Sequence, residues 1–183
     1  RDMRSYLNEL VLAKTQGMAS VAYQSKALSI MTLFWRSVMP GIYSFSLSLF
    51  AKGIRDGSDI KTLFLQVNEK VAGIALPALA FLAVEGDTLV LLLNGPNWGL
   101  SAEIGRLVPA LYLPAFPLLG LVGTLMIAGG KIRELSIIQL AVLPFKLIVV
   151  FYLMNAELKI FVLGNVFLEI FVETLLFAYF LNK

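Results

Sequence analysis

The chain has 183 residues, of which 58% are apolar and 15% are charged, and its mean hydropathy is +0.82. Soluble domains are about 45–50% apolar and about 25% charged, and a soluble protein of this size leaves many side chains in water. The composition therefore excludes a soluble globular protein. It predicts an all-α, polytopic membrane helical bundle, because a spanning helix needs roughly 20 apolar residues and the chain has room for about five.

Two residue types are absent from the sequence, and their absence narrows the possible chemistry. Without Cys there is no disulfide, thiol nucleophile or thiolate metal site, and without His the commonest general base and metal ligand is missing. We therefore expect no enzyme activity, metal site or cofactor. The net charge of +3 is too small to indicate a nucleic-acid partner.

The start of the sequence lacks the pattern of a signal peptide. Residue 1 is Arg, and residues 1–16 contain no charged segment followed by an apolar segment and a cleavage site. We expect the chain to be a segment of a longer polypeptide, forming one transmembrane domain over 1–183.

Apolar stretches predict five spans, separated by short polar loops. Pro40-Gly41 interrupts the first, and Ser58 or Asp59 is a good N-cap for the second. Residues 88–94 are too few to span and predict one interfacial element, with Trp98 at the level of the lipid headgroups. The third span contains three prolines and should be irregular. The spans are approximately 19–51, 60–84, 101–128, 133–154 and 158–181.

Basic residues indicate the orientation of the five predicted spans. If the spans alternate in direction, six basic residues lie on one side and two on the other, or four when Arg1 and Arg4 are included. Because basic residues accumulate on the cytoplasmic side, this count predicts a cytoplasmic C-terminus. The six are Lys52, Arg55, Lys61, Lys131, Arg133 and Lys183, and the two are Arg106 and Lys159.

The ionisable residues of interest within the predicted spans are Lys26, Arg36, Lys146, Glu169 and Glu173. Such residues are costly in hydrocarbon and face a polar cavity, a partner or the interface. Structural interpretations are snorkelling or pairing, for instance of Lys146 with one of the glutamates. The two glutamates share one helical face, so their repulsion requires an opposite charge, a bound cation or a raised pKa.

Three stretches together resemble a known transporter family. The first stretch, Leu7–Lys14 followed by Gly17–Tyr23, is similar to the segment that connects the family's seventh helix to its eighth. The second, Val38–Phe50, is similar to a proline-containing stretch further along the chain. Leu91–Trp98 is similar to a Leu-aromatic-Gly-x-x-Trp element. The family is the polysaccharide or oligosaccharide (Wzx-type) flippases of the multidrug/oligosaccharidyl-lipid/polysaccharide exporter superfamily, and the chain resembles their C-terminal half.

The resemblance implies one lobe of a two-lobe, MATE-like exporter in a bacterial or archaeal plasma membrane. Such a protein flips undecaprenyl-pyrophosphate-linked oligosaccharide by alternating access for surface polysaccharide synthesis: O-antigen, capsule or exopolysaccharide. The partners implied are this lipid-linked oligosaccharide, membrane lipid, and an N-terminal lobe, a partner chain or a second copy.

The resemblance also assigns roles to individual residues. Cationic side chains would contact the pyrophosphate, amide and phenol groups would bind sugar hydroxyls, and a carboxylate would couple transport to a proton or Na⁺. The residues are Lys26, Arg36 and Lys146 for phosphate, Tyr23, Gln24 and Asn165 for sugar, and Glu169 or Glu173 for the ion.

Two alternatives to the flippase remain at this stage. A multidrug or small-molecule exporter of the same superfamily would favour carboxylates in its cavity, and Glu169 and Glu173 leave that possibility open. A structural or vestigial membrane subunit would not transport at all, because a single five-helix lobe cannot form a two-lobe cavity alone.

Overall fold

The computed structural model describes residues 3–119 and 121–181. Within these ranges the chain is helical and contains no strand, which confirms the all-α class. The elements are α1 (Met3–Gln16), α2 (Met18–Ala27), α3 (Ser29–Ser37), α4 (Met39–Arg55), α5 (Ile60–Asn94), a 3₁₀ turn (Pro96–Trp98), α6 (Gly99–Leu119), α7 (Val122–Ala128), α8 (Ile132–Leu153) and α9 (Leu158–Leu181).

The helix predicted over 19–51 is interrupted twice in the structure. At Leu28, between α2 and α3, the hydroxyl of Ser29 donates to the carbonyl oxygen of Lys26 at 2.6 Å and competes with the regular backbone ladder. At Val38, between α3 and α4, the cause is Pro40, which has no N–H to donate to the preceding turn. The predicted interruption at Pro40-Gly41 is confirmed, but it lies at Val38, two residues before the proline.

Helix α5 corrects the prediction of a span ending at 84 and a separate interfacial element at 88–94. It continues through Gly86 without a break for 35 residues, about 52 Å at the α-helical rise per residue. It ends only at Gly95, where φ is +96° and Pro96 follows, a combination that terminates helices. No second element begins at 88, because the hydrogen-bonded ladder of α5 runs on to Asn94.

Asp59 caps the N-terminus of α5, as one of the two predicted candidates. Its carboxylate accepts hydrogen bonds from the Thr62 hydroxyl at 2.6 Å and the Thr62 backbone N–H at 2.9 Å. These two bonds favour the charged form, and they lower the pKa of Asp59 below its ordinary value. The helix therefore begins on an ionised cap in the exposed loop after α4.

Two helices in the described part of the chain, α5 and α8, are long and apolar enough to cross a membrane. The prediction of about five spans is therefore supported for two of them. The predicted boundaries at 133–154 and 158–181 agree with the helices α8 and α9 to within one residue. The predicted irregular helix over 101–128 corresponds to two helices, α6 and α7.

Helices α5 and α6 lie side by side along much of their length, and glycines permit the close approach. A Cβ on Gly86 would lie 3.1 Å from the Cα of Arg106 and 3.1 Å from the carbonyl oxygen of Gly105. Both neighbours are backbone atoms, so a side-chain rotation cannot make room. The tight contact sets the position of α6, which carries one wall of the cavity described below.

We expect Gly86→Ala to lower the stability of the purified protein, by about 1–3 kcal/mol for overpacking. Gly73→Ala, in the same helix, is the matched control, because a Cβ there meets nothing within 4 Å. Its expected effect is neutral or a gain of up to about 1 kcal/mol from helix propensity. Thermal unfolding in detergent measures both variants. Equal unfolding temperatures for the two would show that α5 and α6 can separate without penalty.

Candidate functional site

A polar cavity of about 860 Å³ opens between α1, α2, α3, α6, α8 and α9, with one residue of α4 at its edge. Most of the chain's helices therefore contribute to it, including segments more than 100 residues apart. Its polar and charged lining consists of Asn8, Glu9, Gln24, Ser25, Ser29, Thr32, Arg36, Tyr43, Tyr112, Gln139, Lys146, Asn165 and Glu169.

The buried charge of the cavity is Lys146, in α8. Its side chain is only 7% exposed, and its Nζ lies 2.8 Å from Oε1 of Glu169 in α9. The Tyr112 hydroxyl of α6 donates to the other carboxylate oxygen at 3.3 Å. Pairing lowers the free-energy cost of removing the lysine from water. Of the interpretations given for Lys146, the structure therefore shows the one in which it pairs with a glutamate.

Arg36 is the exposed cation of the same cavity. It lies in the last turn of α3 and forms no ion pair with any residue that the structure describes. A guanidinium presents its donors in a planar fork that matches phosphate and carboxylate oxygens. Arg36 is thus available to an anionic group that enters the cavity.

Three carboxamide side chains line the cavity and are almost completely buried: Asn8 at 8%, Gln24 at 7% and Asn165 at 5% exposed. The side-chain oxygen of each accepts no hydrogen bond from the described residues. The amide nitrogen of Asn165 donates to the carbonyl oxygen of Phe161 at 2.8 Å. Acceptors of this kind are rarely left unpaired in a protein interior.

Lys26 and Tyr23, both predicted to bind substrate, do not line this cavity. The Lys26 Nζ lies 5.7 Å from the ring centroid of Trp98, and the Tyr23 ring meets the same indole edge-on at 5.3 Å. Residues three apart share one helical face, so Tyr23 and Lys26 point together toward the start of α6. Gln24, next along the helix, points into the cavity instead.

The structure thus brings Gln24, Arg36, Lys146 and Glu169 into one cavity. Glu173, the second predicted ion-coupling residue, lies outside the residues whose side chains the structure describes. Among the described residues, no group of three or more carboxylates is placed to hold a metal ion.

Sequence reasoning missed Asn8 and Tyr112 as residues of the site. Asn8 lies in a helix with no strong apolar face, and Tyr112 falls among the prolines of an apolar stretch. The one signal in the sequence that could have indicated either residue is a polar side chain in a helix that must pack against other helices. Only the tertiary arrangement shows that Asn8 is buried beside the cavity and that Tyr112 contacts Glu169.

Two helices are long and apolar enough to cross a membrane, and one of them, α8, lines the polar cavity; such helices indicate a membrane protein. The chain belongs to a polysaccharide biosynthesis protein family, whose model matches residues 3–103. That match supports a role in polysaccharide biosynthesis or export and includes Asn8, Gln24 and Arg36, whereas Lys146 and Glu169 lie beyond it. No curated protein and no solved structure matches the chain.

Proposed function

We propose that the chain is the C-terminal lobe of a flippase that moves an undecaprenyl-pyrophosphate-linked oligosaccharide across the plasma membrane. The observation that carries the proposal is a polar cavity of about 860 Å³ that contains the exposed Arg36 and the buried Lys146. Membership of a polysaccharide biosynthesis family supports this class of substrate. A multidrug exporter is less well supported, because the carboxylate of Glu169 is ion-paired with Lys146, whereas Arg36 forms no ion pair with any residue that the structure describes.

The physical task explains why such a cavity is needed. A hydrated sugar and a pyrophosphate cannot cross hydrocarbon without losing their hydrogen bonds to water. A polar cavity replaces those bonds, while the prenyl tail stays in the lipid. In this proposal Arg36 binds the pyrophosphate by charge-assisted hydrogen bonds, and polar side chains that line the cavity bind the sugar.

The ion pair gives the proposal a route to ion coupling. An entering pyrophosphate competes with Glu169 for Lys146, and the released carboxylate of Glu169 then binds a proton or Na⁺. Tyr112 keeps the carboxylate in place during the exchange, since its hydroxyl already contacts Oε2.

The proposed transporter completes its cavity with a second lobe, which is an N-terminal lobe, a partner chain or a second copy. Alternating access then consists of one lobe rocking against the other around the site. The proposed orientation places the C-terminus in the cytoplasm, as the distribution of basic residues indicates.

The test is deletion of the complete gene in its native host. We expect lipid-linked repeat units to accumulate on the cytoplasmic leaflet and surface polysaccharide to fall, both restored by the gene in trans. Accessibility of the lipid-linked sugar to a membrane-impermeant oxidant reports the leaflet. Normal surface polysaccharide without accumulation in the deletion strain would overturn the proposal and favour a subunit without transport activity.

A further inference from the structure

A second group of polar side chains lies outside the cavity, where α2 meets the 3₁₀ turn that follows α5. The Nζ of Lys26 lies 5.7 Å from the centroid of the Trp98 indole, and the Tyr23 ring contacts the same indole edge-on at 5.3 Å. We call these three residues the Trp98 cluster. Each is half-buried, and neither the ammonium, the phenol hydroxyl nor the indole nitrogen is enclosed by protein. A ligand outside the protein can therefore reach them.

The Trp98 cluster offers three kinds of hydrogen-bond donor that have no acceptor among the residues that the structure describes. Its ammonium forms no ion pair there, and its hydroxyl and indole N–H donate no hydrogen bond there. Toward the same ends of α5, α6 and α9, by contrast, Arg106 pairs with Asp87 and Lys159 pairs with Glu103. Tyrosine hydroxyls and tryptophan N–H groups usually find a partner when they leave water. The cluster thus lacks an anionic or neutral acceptor.

The Trp98 cluster lies at the end of α5, which is long and apolar enough to cross a membrane. The polar first part of α5 ends at Lys70, and residues 71–94 are mostly apolar. That segment extends about 36 Å at the α-helical rise per residue, slightly more than the roughly 30 Å of a bilayer's hydrocarbon core. Trp98 follows in the next turn. A membrane-spanning α5 therefore places the cluster at the level of the lipid headgroups, where tryptophan and tyrosine are enriched.

The backbone around the cluster is fixed by hydrogen bonds. The hydroxyl of Ser101, a fully buried residue of α6, donates to the carbonyl oxygen of Tyr23 at 2.8 Å and joins α6 to α2. The hydroxyl of Ser29 donates to the carbonyl oxygen of Lys26 at 2.6 Å. A site that is assembled before its ligand arrives loses less conformational freedom on binding.

We infer that the Trp98 cluster binds the phosphate group of an anionic phospholipid. The two unesterified oxygens of a phosphodiester accept a charge-assisted hydrogen bond from the Lys26 ammonium and neutral ones from the hydroxyl and the indole N–H. Aromatic faces also attract the quaternary ammonium of a choline headgroup, but Lys26 already covers the face of Trp98 and repels a second cation. The site therefore prefers phosphatidylglycerol to phosphatidylcholine. It is independent of the proposed function, because none of the three residues lines the cavity.

The experiment measures lipid binding to the purified complete protein by native mass spectrometry. The probes are phosphatidylglycerol and phosphatidylcholine with identical acyl chains, and inorganic phosphate as the soluble source of the same group. We expect the wild-type protein to bind one phosphatidylglycerol about tenfold more tightly than phosphatidylcholine, the value for one hydrogen bond to a charged group. Inorganic phosphate should neither bind nor displace the lipid.

Two variants locate the binding at the cluster. Lys26→Gln removes the charge and should lower the affinity for phosphatidylglycerol about tenfold, while Trp98→Phe keeps a ring, loses the N–H and should lower it several-fold. Lys14→Gln is the matched control and should change nothing, because Lys14 is an exposed lysine in the last turn of α1 that contacts no aromatic ring of the described residues. Phosphatidylglycerol should also raise the unfolding temperature of the wild-type protein more than that of Lys26→Gln.

A purely structural role of the Trp98 cluster gives different results. Lys26→Gln would then lower the unfolding temperature of the lipid-free protein and leave the preference for phosphatidylglycerol unchanged, which would overturn the site. Equal binding of the two lipids to the wild-type protein would overturn it as well. If inorganic phosphate binds and displaces phosphatidylglycerol, the ligand is a soluble phosphate and the assignment to a lipid is wrong. None of these results bears on the cavity or on the proposed transport.

Discussion

Glu169→Ala is expected to destabilise the protein by about 3 kcal/mol, because it leaves the buried ammonium group of Lys146 without its counter-charge. Lys146 is 7% exposed at its side chain, and Glu169 is its ion-pair partner at 2.8 Å. The double variant, Lys146→Met with Glu169→Leu, should recover most of the loss, since apolar residues replace buried ion pairs with little penalty. Thermal unfolding in detergent measures the three variants.

Glu103→Ala is the matched control for this prediction. Glu103 also pairs with a lysine, Lys159, but both side chains are more than one third exposed and such surface pairs contribute at most about 1 kcal/mol. If Glu103→Ala and Glu169→Ala lower the unfolding temperature equally, or if the double variant is as unstable as Glu169→Ala, burial of Lys146 does not set the energy of the pair.

Arg36→Ala is expected to reduce flipping at least about tenfold, whereas Arg55→Ala should stay within about twofold of the wild-type rate. A hydrogen bond to a charged group contributes about 1.5–3 kcal/mol, and 1.4 kcal/mol corresponds to a factor of ten. Arg36 lines the cavity, while Arg55 is exposed at the end of α4 and outside it.

The Arg36 comparison is made by complementing the deletion strain and measuring the lipid-linked sugar on each leaflet at matched protein levels. Arg36→Lys should retain an intermediate rate, because an ammonium keeps the charge but loses the planar fork. Wild-type flipping by Arg36→Ala at equal expression would remove Arg36 from the binding machinery.

Helix-capping and proline preferences predicted those helix boundaries at which the packing of the helices favours the same residue. Pro40 marked the interruption after α3, and Asp59 marked the start of α5 through its bonds to Thr62. The predicted span ended at 84, but Glu85, Gly86 and Asp87 continue α5, and the missing side chain of Gly86 lets α6 pack against it. A glycine that permits close packing cannot be distinguished, from sequence alone, from one that ends a helix.

The candidate site was predictable only in part, for a geometric reason. Charged residues within predicted spans directed attention to Arg36, Lys146 and Glu169, and these three share the cavity. Lys26 was grouped with them because it also falls in a predicted span, but it faces Trp98. Which face of a helix meets the cavity depends on contacts between helices far apart in the chain, and no local pattern specifies them.

Photocrosslinking in living cells tests whether the cavity holds the lipid-linked oligosaccharide. A photoreactive benzoylphenylalanine replaces either Tyr43, which lines the cavity, or Phe45, an exposed aromatic residue of the same helix that does not. We expect an adduct with lipid-linked oligosaccharide, identified by mass spectrometry, at Tyr43 and none at Phe45. Adducts with ordinary phospholipid alone at both positions would show that the cavity does not hold the lipid-linked oligosaccharide.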